Sequence, residues 1–340
     1  MKMYHLSLHN GCMQDIKYVC SRLNIELITE TYGPQYDGGY NVSHARASRS
    51  WNKMKDMLNS FDVFFTSDTA PMSRIVLQHM SEFKKRVVVW VCNRFDVYSG
   101  KPNIDNFPDP EYYEIMKQAA KHERVKIISY TPFEYVYGKQ KEVDFGSPLC
   151  IKPTGLYPKE GLIPMSQISY TPGMWKVPPS VNKFSNYFIT PYHNDNIFMD
   201  LQAQCSSLGI KTHRGFYMGP EDIIGFLGII HIPYAWSNLA FFENLQNNIP
   251  YFIPSKNFIL DLSTKGNFFW SPPFQREHIE LSEWYNPEHR EFIHYFDSWE
   301  DLRQKTLDIA EIERKKKIQK DFGEKHLQKT LSQWKTTLCI

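Results

Sequence analysis

Residues 215–255, GFYMGPEDIIGFLGIIHIPYAWSNLAFFENLQNNIPYFIPS, carry the clearest structural pattern in the chain. The stretch predicts a helix, a short buried strand, a polar turn, a second helix and a second strand. Ser237 and Asn238 lie in the turn, Glu243 lies on the second helix, and Pro250 comes seven residues later. Ligands of open α/β sheets bind at the carboxyl ends of the strands, where a helix N-terminus favours phosphate. Ser237 and Asn238 are therefore predicted either to contact a phosphate or to cap the helix.

The same stretch resembles the donor-binding half of nucleotide-sugar glycosyltransferases with the two-domain GT-B fold. Residues 221–224, EDII, match a helical piece of that pattern, and residues 231–234, HIPY, match the strand that follows it. Glu243 and Pro250 match the glutamate that holds the ribose hydroxyls and the proline that starts the next strand. A carboxylate suits two vicinal hydroxyls because both hydrogen bonds are charge-assisted. Many retaining members carry another glutamate at the position of Ala235, so its absence favours an inverting enzyme.

The resemblance assigns donor-binding roles to polar residues at other strand ends of the second half. Thr190 and His193 lie in a loop where family members often place hydroxyl or basic groups against the diphosphate, although Asn194 in this loop is equally suited to capping a helix. Arg214 ends the next strand; it suits a diphosphate through its guanidinium fork, or it meets the nucleobase, or it is an ordinary surface arginine. Tyr217 is expected near the nucleobase.

Strands alternate with amphipathic helices along both halves of the chain, which indicates parallel βαβ units. The predicted fold is α/β. In the GT-B pattern, two Rossmann-like domains with parallel sheets face a central cleft, and a C-terminal helix crosses back to the first domain. The predicted division is an acceptor-binding domain over 1–180, a nucleotide-sugar-binding domain over 181–312, and a terminal helix over 313–340.

The resemblance implies that the first domain binds the acceptor and supplies any general base. His9 follows the first strand, and an imidazole titrates near the pH at which a sugar hydroxyl must be deprotonated. Asp68 follows a later strand and is the competing base, unless it caps the following helix. The acceptor side is predicted to include Asn93, Arg94, Asp96 and His44.

Composition limits the functional classes that remain open. The chain has 340 residues, 42% hydrophobic and 15% aromatic, with a formal net charge of +2. Because positive and negative charges nearly balance, the composition gives no strong positive electrostatic field for binding nucleic acid. The six cysteines form no CxxC pair and show no zinc spacing, so no metal and no bound cofactor are predicted. There is no signal-peptide pattern at the start and no apolar run near the roughly 20 residues of a membrane span, which predicts a cytoplasmic protein without an integral membrane segment.

The function predicted from these observations is metal-independent transfer of a hexosyl or pentosyl group. The donor is a nucleotide-diphosphate sugar, UDP-linked as first choice and GDP-linked as second, and the acceptor is a hydroxyl of a glycan or glycoprotein. A nucleotide-sugar epimerase of the same fold and a non-catalytic two-domain binding protein are the alternatives. The aromatic- and asparagine-rich composition also resembles enzymes of large DNA viruses that glycosylate their own capsid.

Overall fold

The structure is a computed structural model that describes residues 1–36, 42–93, 95–96, 109–146, 148–158, 177–191, 197–217, 219–268, 270 and 276–339. The chain divides into two compact units. The first comprises Met1–Pro158 and Gln328–Ile340, and the second comprises Lys159–Leu327. The boundaries predicted from the sequence were 180/181 and 312/313.

The first unit is a parallel sheet with helical connections. Its elements in chain order are β1 (Lys2–Ser7), α1 (Asn10–Leu23), β2 (Glu26–Thr31), α2 (His44–Leu58), β3 (Val63–Thr66), α3 (Arg74–Leu77), β4 (Arg86–Val91), α4 (Pro110–Lys121), β5 (Val125–Ser129) and α5 (Pro132–Gln140). The strand order is β2-β1-β3-β4-β5, and each neighbouring pair is parallel.

The second unit repeats this topology. Its elements are β6 (Tyr187–Ile189), α6 (Leu201–Ser207), β7 (Thr212–Arg214), α7 (Pro220–Ile223), β8 (Ile229–Ile230), α8 (Leu239–Gln246), β9 (Tyr251–Pro254), α9 (Lys256–Thr264), β10 (His294–Phe296), α10 (Trp299–Leu307) and α11 (Ile309–Leu338). Its strand order is β10-β9-β8-β6-β7. Read from the other edge, β7-β6-β8-β9-β10 corresponds strand for strand to β2-β1-β3-β4-β5 of the first sheet. The predicted α/β architecture with a parallel sheet in each half is confirmed.

Local sequence explains where these elements begin and end. β4 is a run of β-branched and aromatic residues that is buried along nearly its whole length, as expected of a strand covered on both faces. Side chains cap the helices: Ser43, Asp109 and Ser255 each accept a backbone N–H of the first turn of α2, α4 and α9. The cap residue Asn24 ends α1 in the left-handed conformation.

The last helix belongs to both units. α11 runs for 30 residues, and its part from Gln328 onward belongs to the first unit. There Trp334 is fully buried against Phe65 of β3 and Trp90 of β4. The resemblance implied a terminal helix that crosses back to the first domain, and this helix fits it.

Three elements differ from the sequence-based expectation. α5 and β10 were not expected, because α5 mixes aromatic, glycine and lysine residues and β10 is a three-residue edge strand in an aromatic stretch. β8 is Ile229–Ile230 rather than residues 231–234. The backbone N–H of His231 still donates to Phe252 (3.0 Å), but Pro233 has no N–H to continue the ladder.

Candidate functional site

In both sheets, the side on which successive strands of the chain are added changes at one position. In the first unit the chain moves from β1 to β2 on one side and then to β3 on the other side of β1. In the second unit β6 stands between β7 and β8 in the same way. Loops diverge at such a switch point, and ligands of open α/β sheets bind there. The two switch points therefore define the candidate sites, one in each unit.

Asp68 lies at the first switch point, two residues after β3. Its backbone has a positive φ of 74°, a conformation that costs energy for residues other than glycine. The carbonyl oxygen of Asp68 accepts the backbone N–H groups of Cys92 (3.2 Å) and Asn93 (3.1 Å). Burial and, secondly, the nearby Cys12 raise the pKa of the Asp68 carboxyl to about 7, while the nearby His9 opposes the rise. The side chain is thus poised to exchange a proton near neutral pH.

His9, the other predicted base, lies close enough to Asp68 to affect its titration. It is exposed and is the N-cap of α1, with Nδ1 accepting the backbone N–H of Cys12 at 3.3 Å. A neutral imidazole that accepts through Nδ1 carries its proton on Nε2. The raised pKa of the buried Asp68 carboxyl makes Asp68 the better candidate base.

A buried chain of polar side chains supports this edge, and the sequence analysis did not single it out. His5 of β1 bonds through Nε2 to Ser67 Oγ (2.8 Å) and through Nδ1 to Thr29 Oγ1 (3.0 Å). Ser67 donates to Ser7 Oγ (3.0 Å), which in turn accepts the backbone N–H of His9 (3.2 Å). Burial lowers the pKa of His5 to about 3, so it stays neutral. The chain joins the ends of β1 and β3 and fixes the residues beside them.

The predicted acceptor residues lie in different surroundings. Asn93 is exposed directly after Cys92, next to Asp68 in the hydrogen-bond pattern. Asp96 is buried, and its Oδ2 accepts the hydroxyls of Tyr113 (2.7 Å) and Tyr137 (3.1 Å). His44 is exposed at the start of α2 and pairs with Glu111 (2.6 Å). Arg94 lies outside the described residues. No acceptor pocket follows from these contacts, and the roles stay predictions.

At the second switch point Thr190 and His231 join the ends of β6 and β8. Thr190 Oγ1 lies 3.1 Å from Nδ1 of His231. Burial lowers the pKa of His231 to about 3, so the ring is neutral. Within the described residues its Nε2 is buried without a hydrogen-bond partner, which is costly unless something satisfies it. His231 was quoted in the sequence pattern but was not predicted as a site residue.

Tyr217 and Glu243 lie near one another in the second unit. Burial raises the pKa of Tyr217, and the charge of Glu243 raises it further. Both side chains are half-buried. The neighbouring Asn244 donates to the hydroxyl of Tyr251 (2.7 Å), whose ring contacts His231 at 6.2 Å. The structure therefore groups Thr190, Tyr217 and Glu243 of the predicted donor set around the switch point.

The polar turn before α8 has a capping role. Asn238 accepts the backbone N–H of Ala240 through its side chain (2.9 Å), and its own backbone N–H donates to Oε2 of the buried Glu283 (2.8 Å). An internal carboxylate thus already faces the N-terminus of α8. Asn238 is used within the unit, and the phosphate role stays a prediction for the half-buried Ser237.

The remaining predicted donor residues are peripheral or not described. Arg214 is exposed at the end of the edge strand β7, directly beside Ile189 of β6. His193 lies outside the described residues.

Across the described part of the chain, no group of three or more His, Cys, Asp or Glu residues could hold a metal ion. Among those same residues, no helix combines the length and the apolar character of a membrane span.

No protein-family model matches the chain, and no protein with curated annotation matches it in sequence. Solved structures similar to it include Arabidopsis thaliana UGT89C1 complexed with quercetin (TM-score 0.47, 10% identity, 99% of this chain and 92% of that one). They also include the calicheamicin glycosyltransferase CalG4 (TM-score 0.38, 9% identity, 96% of this chain and 94% of that one). A UDP-N-acetylglucosamine 2-epimerase is also similar, with a TM-score of 0.44 and 9% identity, covering 93% of this chain and 90% of that one.

Glycosyltransferases and sugar-nucleotide epimerases are thus both among the similar structures. Nothing in them supports the compositional likeness to viral enzymes. At this level of similarity we base the proposed function on the residues of this chain.

Proposed function

We propose that the chain is a glycosyltransferase that moves a sugar from a nucleoside-diphosphate sugar to an acceptor hydroxyl. The observation that carries the proposal is the pair of switch-point sites. The first holds a buried carboxyl whose pKa is about 7, and the second groups a carboxylate, hydroxyls and a neutral imidazole. The first set suits proton abstraction from a hydroxyl, and the second suits recognition of a nucleotide.

Each residue has a defined task in this proposal. Glu243 accepts the two ribose hydroxyls, Thr190 and His231 face the diphosphate, and Tyr217 lies by the nucleobase. Asp68 removes the proton of the acceptor hydroxyl as its oxygen attacks the anomeric carbon, which gives an inverting displacement of the nucleoside diphosphate. Arg214 and the predicted His193 stabilise the charge of the leaving diphosphate without a metal ion. UDP is the first choice of nucleotide and GDP the second; the acceptor is a glycan or glycoprotein.

A thermal-shift screen tests the nucleotide part. UDP, GDP, CDP and ADP and their common sugar conjugates are added separately to the full chain. A ligand that binds only the folded state raises Tm with the logarithm of its saturation. We expect one nucleoside diphosphate to raise Tm clearly at millimolar concentration, whereas no shift with any of them would overturn the proposal.

Product analysis separates the proposal from its alternatives. With the nucleotide sugar found in the screen, a glycosyltransferase releases nucleoside diphosphate and transfers the sugar to an added acceptor. An epimerase changes a sugar stereocentre without an acceptor, and a non-catalytic binding protein leaves the ligand unchanged. Transfer that requires an acceptor is the expected result.

A further inference from the structure

Cys12 and Cys92 come from distant parts of the chain and meet at the first switch point. Cys12 lies in the first turn of α1, and Cys92 directly follows β4. The sulfur atoms of Cys12 and Cys92 lie 3.9 Å apart, and both side chains are buried. All six cysteines lie in the described residues, and each is a thiol outside any disulfide. Forming a bond between these two sulfurs would bring them from 3.9 Å to about 2.05 Å, so the side chains or the backbone beside them must move.

The surroundings of Cys12 favour its reactive form. Burial opposes ionisation of the thiol, but the contact with Cys92, the nearby His9 and a hydrogen bond with Ser67 together lower its pKa. The backbone N–H groups at the start of α1 act in the same direction. Cys20 and Cys205 differ, because burial raises the pKa of each thiol. Cys12 therefore favours the thiolate, the form that attacks an oxidant, whereas Cys20 on the same helix does not.

The two cysteines also hold the residues of the first site. The backbone N–H of Cys92 donates to the carbonyl oxygen of Asp68 (3.2 Å), the residue with the positive φ. The backbone N–H of Cys12 donates to Nδ1 of His9 (3.3 Å). Any movement that draws the two sulfurs together therefore acts on both candidate proton-transfer groups.

We propose that Cys12 and Cys92 form a reversible disulfide that switches off the first-unit site. The disulfide itself stands on the sulfur geometry alone, whereas its regulatory effect rests on the proposed function. Oxidation draws the segment after β4 towards α1 and displaces the hydrogen bond that holds Asp68. It also removes the negative charge of Cys12, one of the two causes that raise the pKa of Asp68.

The reaction with hydrogen peroxide balances in two steps. The Cys12 thiolate attacks one peroxide oxygen, the O–O bond breaks, and the leaving hydroxide takes up a proton to give water and a sulfenic acid. The sulfur of Cys92 then attacks the sulfur of Cys12, the S–O bond breaks, and the Cys92 proton leaves with the hydroxyl as a second water. Two thiols are oxidised by two electrons and the peroxide is reduced. An added dithiol reverses the process by thiol–disulfide exchange.

Mass spectrometry tests the disulfide directly. The reduced full chain is treated with increasing hydrogen peroxide, its remaining thiols are alkylated under denaturing conditions, and the protein is digested with trypsin. Cleavage gives residues 3–17 and 87–94, each with a single cysteine. We expect these two peptides to become linked, with four alkylated cysteines left of six, and dithiothreitol to separate them. Peptides that stay alkylated, or that oxidise singly without a link, would overturn the proposal.

Two variants sharpen this experiment. Cys92→Ser removes the resolving sulfur, so Cys12 should proceed to sulfinic acid at a peroxide dose that gives the linked peptide in the unchanged chain. Cys205→Ser is the matched control, because Cys205 is a buried thiol in the second unit; the link should form as before. Equal over-oxidation of Cys12 with and without Cys92 would show that the two sulfurs do not react together.

The regulatory effect is measured on the same samples. Peroxide should lower turnover at least fivefold in the unchanged chain and in Cys205→Ser, and dithiothreitol should restore it; in Cys92→Ser dithiothreitol should fail to restore it. Full turnover with the linked peptide formed would overturn the regulatory effect. Nucleotide binding, followed by thermal shift, identifies failure of the proposed function separately, because a chain that binds no nucleotide can still form the linked peptide.

Discussion

Asp68 shows how a single residue can be marked for chemistry by its surroundings. An aspartate that merely caps a helix has no need of burial, of a positive φ, or of a carbonyl held by two backbone N–H groups, yet Asp68 has all three. Strained backbone of this kind persists where the fold imposes it, often at functional sites. The hypothesis that Asp68 is the general base follows from this combination.

Asp68→Asn should lower kcat by about 10²–10⁴-fold, because the amide cannot accept the acceptor proton. The KM for the nucleotide sugar should change little, since the nucleotide is assigned to the other unit. Steady-state kinetics measures both constants, and in the unchanged chain the acid limb of the pH profile of kcat/KM should lie near pH 7. Asp56→Asn on the exposed face of α2 is the control. An unchanged kcat in Asp68→Asn would exclude Asp68 as the base.

Glu243→Ala should weaken binding of the nucleoside diphosphate by about 1.5–3 kcal/mol, the range for hydrogen bonds to a charged group. This corresponds to roughly a ten- to hundredfold rise in Kd, which titration calorimetry can measure. Glu324→Ala on an exposed position of α11 serves as the control and should bind normally. Equal affinity of the two variants would remove Glu243 from the site.

Asp15 should make stability depend on pH. Its Oδ1 accepts the N–H and hydroxyl of Thr154 (2.8 and 2.6 Å) and the N–H of Gly155 (3.1 Å). Burial nevertheless raises its pKa to about 7. The folded state thus keeps the proton that the unfolded state loses near pH 4, so this contribution is complete below pH 4 and is lost as the pH rises to 7.

Urea unfolding of the unchanged chain and of Asp15→Asn tests this sign. The advantage of the unchanged chain over the variant should shrink by up to about 4 kcal/mol between pH 4 and pH 8, in proportion to the shift in pKa. Asp321→Asn on the exposed surface of α11 should show no such change. A difference in stability that is constant with pH would mean that folding does not raise the pKa of Asp15.

At the scale of the elements, close approach of neighbouring strands decides residues that propensity alone leaves open. Gly228 precedes β8, the strand that leads to His231. A Cβ at this position would lie 2.8 Å from Cε2 of Phe252 and 3.0 Å from the carbonyl oxygen of Pro250. The glycine therefore allows β8 and β9 to pair where the second switch point is formed.

Gly228→Ala should destabilise the second unit by about 1–3 kcal/mol, the usual cost of overpacking. The free energy of unfolding is measured by urea denaturation. Gly323→Ala is the matched control: its Cβ would meet only atoms at 3.5 Å or more, and alanine is the better helix former within α11. We expect the control to be neutral or stabilising, and a stable Gly228→Ala would contradict the packing.

At the scale of the whole molecule, the end of the chain completes the core of its beginning. Trp334 of α11 packs at 5.5 Å from Phe65 and 5.4 Å from Trp90, measured between ring centroids, although these rings lie far apart in sequence. The neighbouring Gln333 donates to the carbonyl oxygen of Cys150 (3.2 Å). The first unit is thus built from two separate stretches of the chain.

Trp334→Ala should destabilise the first unit by about 3–5 kcal/mol, as for other buried aromatic residues. Hydrogen exchange followed by mass spectrometry should show loss of protection in β3 and β4. Trp299→Ala, a half-buried site in the second unit, should leave protection of β3 and β4 unchanged. Full protection of both strands in Trp334→Ala would show that the terminal helix does not complete this core.

Local sequence patterns were enough to predict the alternation of strands and helices, the α/β class and the polar residues that follow strands. These features depend on local periodicity, as in the apolar run of β4 and the capped start of α9. It also pointed to Asp68, which follows a visible strand end, and to Glu243, through the resemblance of the stretch around it to a nucleotide-sugar-binding pattern. It did not reveal α5 or β10, which are short and lack a clear period.

Which of these residues meet depends on how the whole chain folds. The pairing of β1 with β3 and of β6 with β8 brings His5 to Ser67 and Thr190 to His231. The approach of α1 to the end of β4 joins Cys12 and Cys92. Burial, which raises the pKa of Asp68 and lowers that of His231, exists only when the sheets are covered. Local propensity acts over a few neighbouring residues, whereas contact and desolvation are properties of the folded chain.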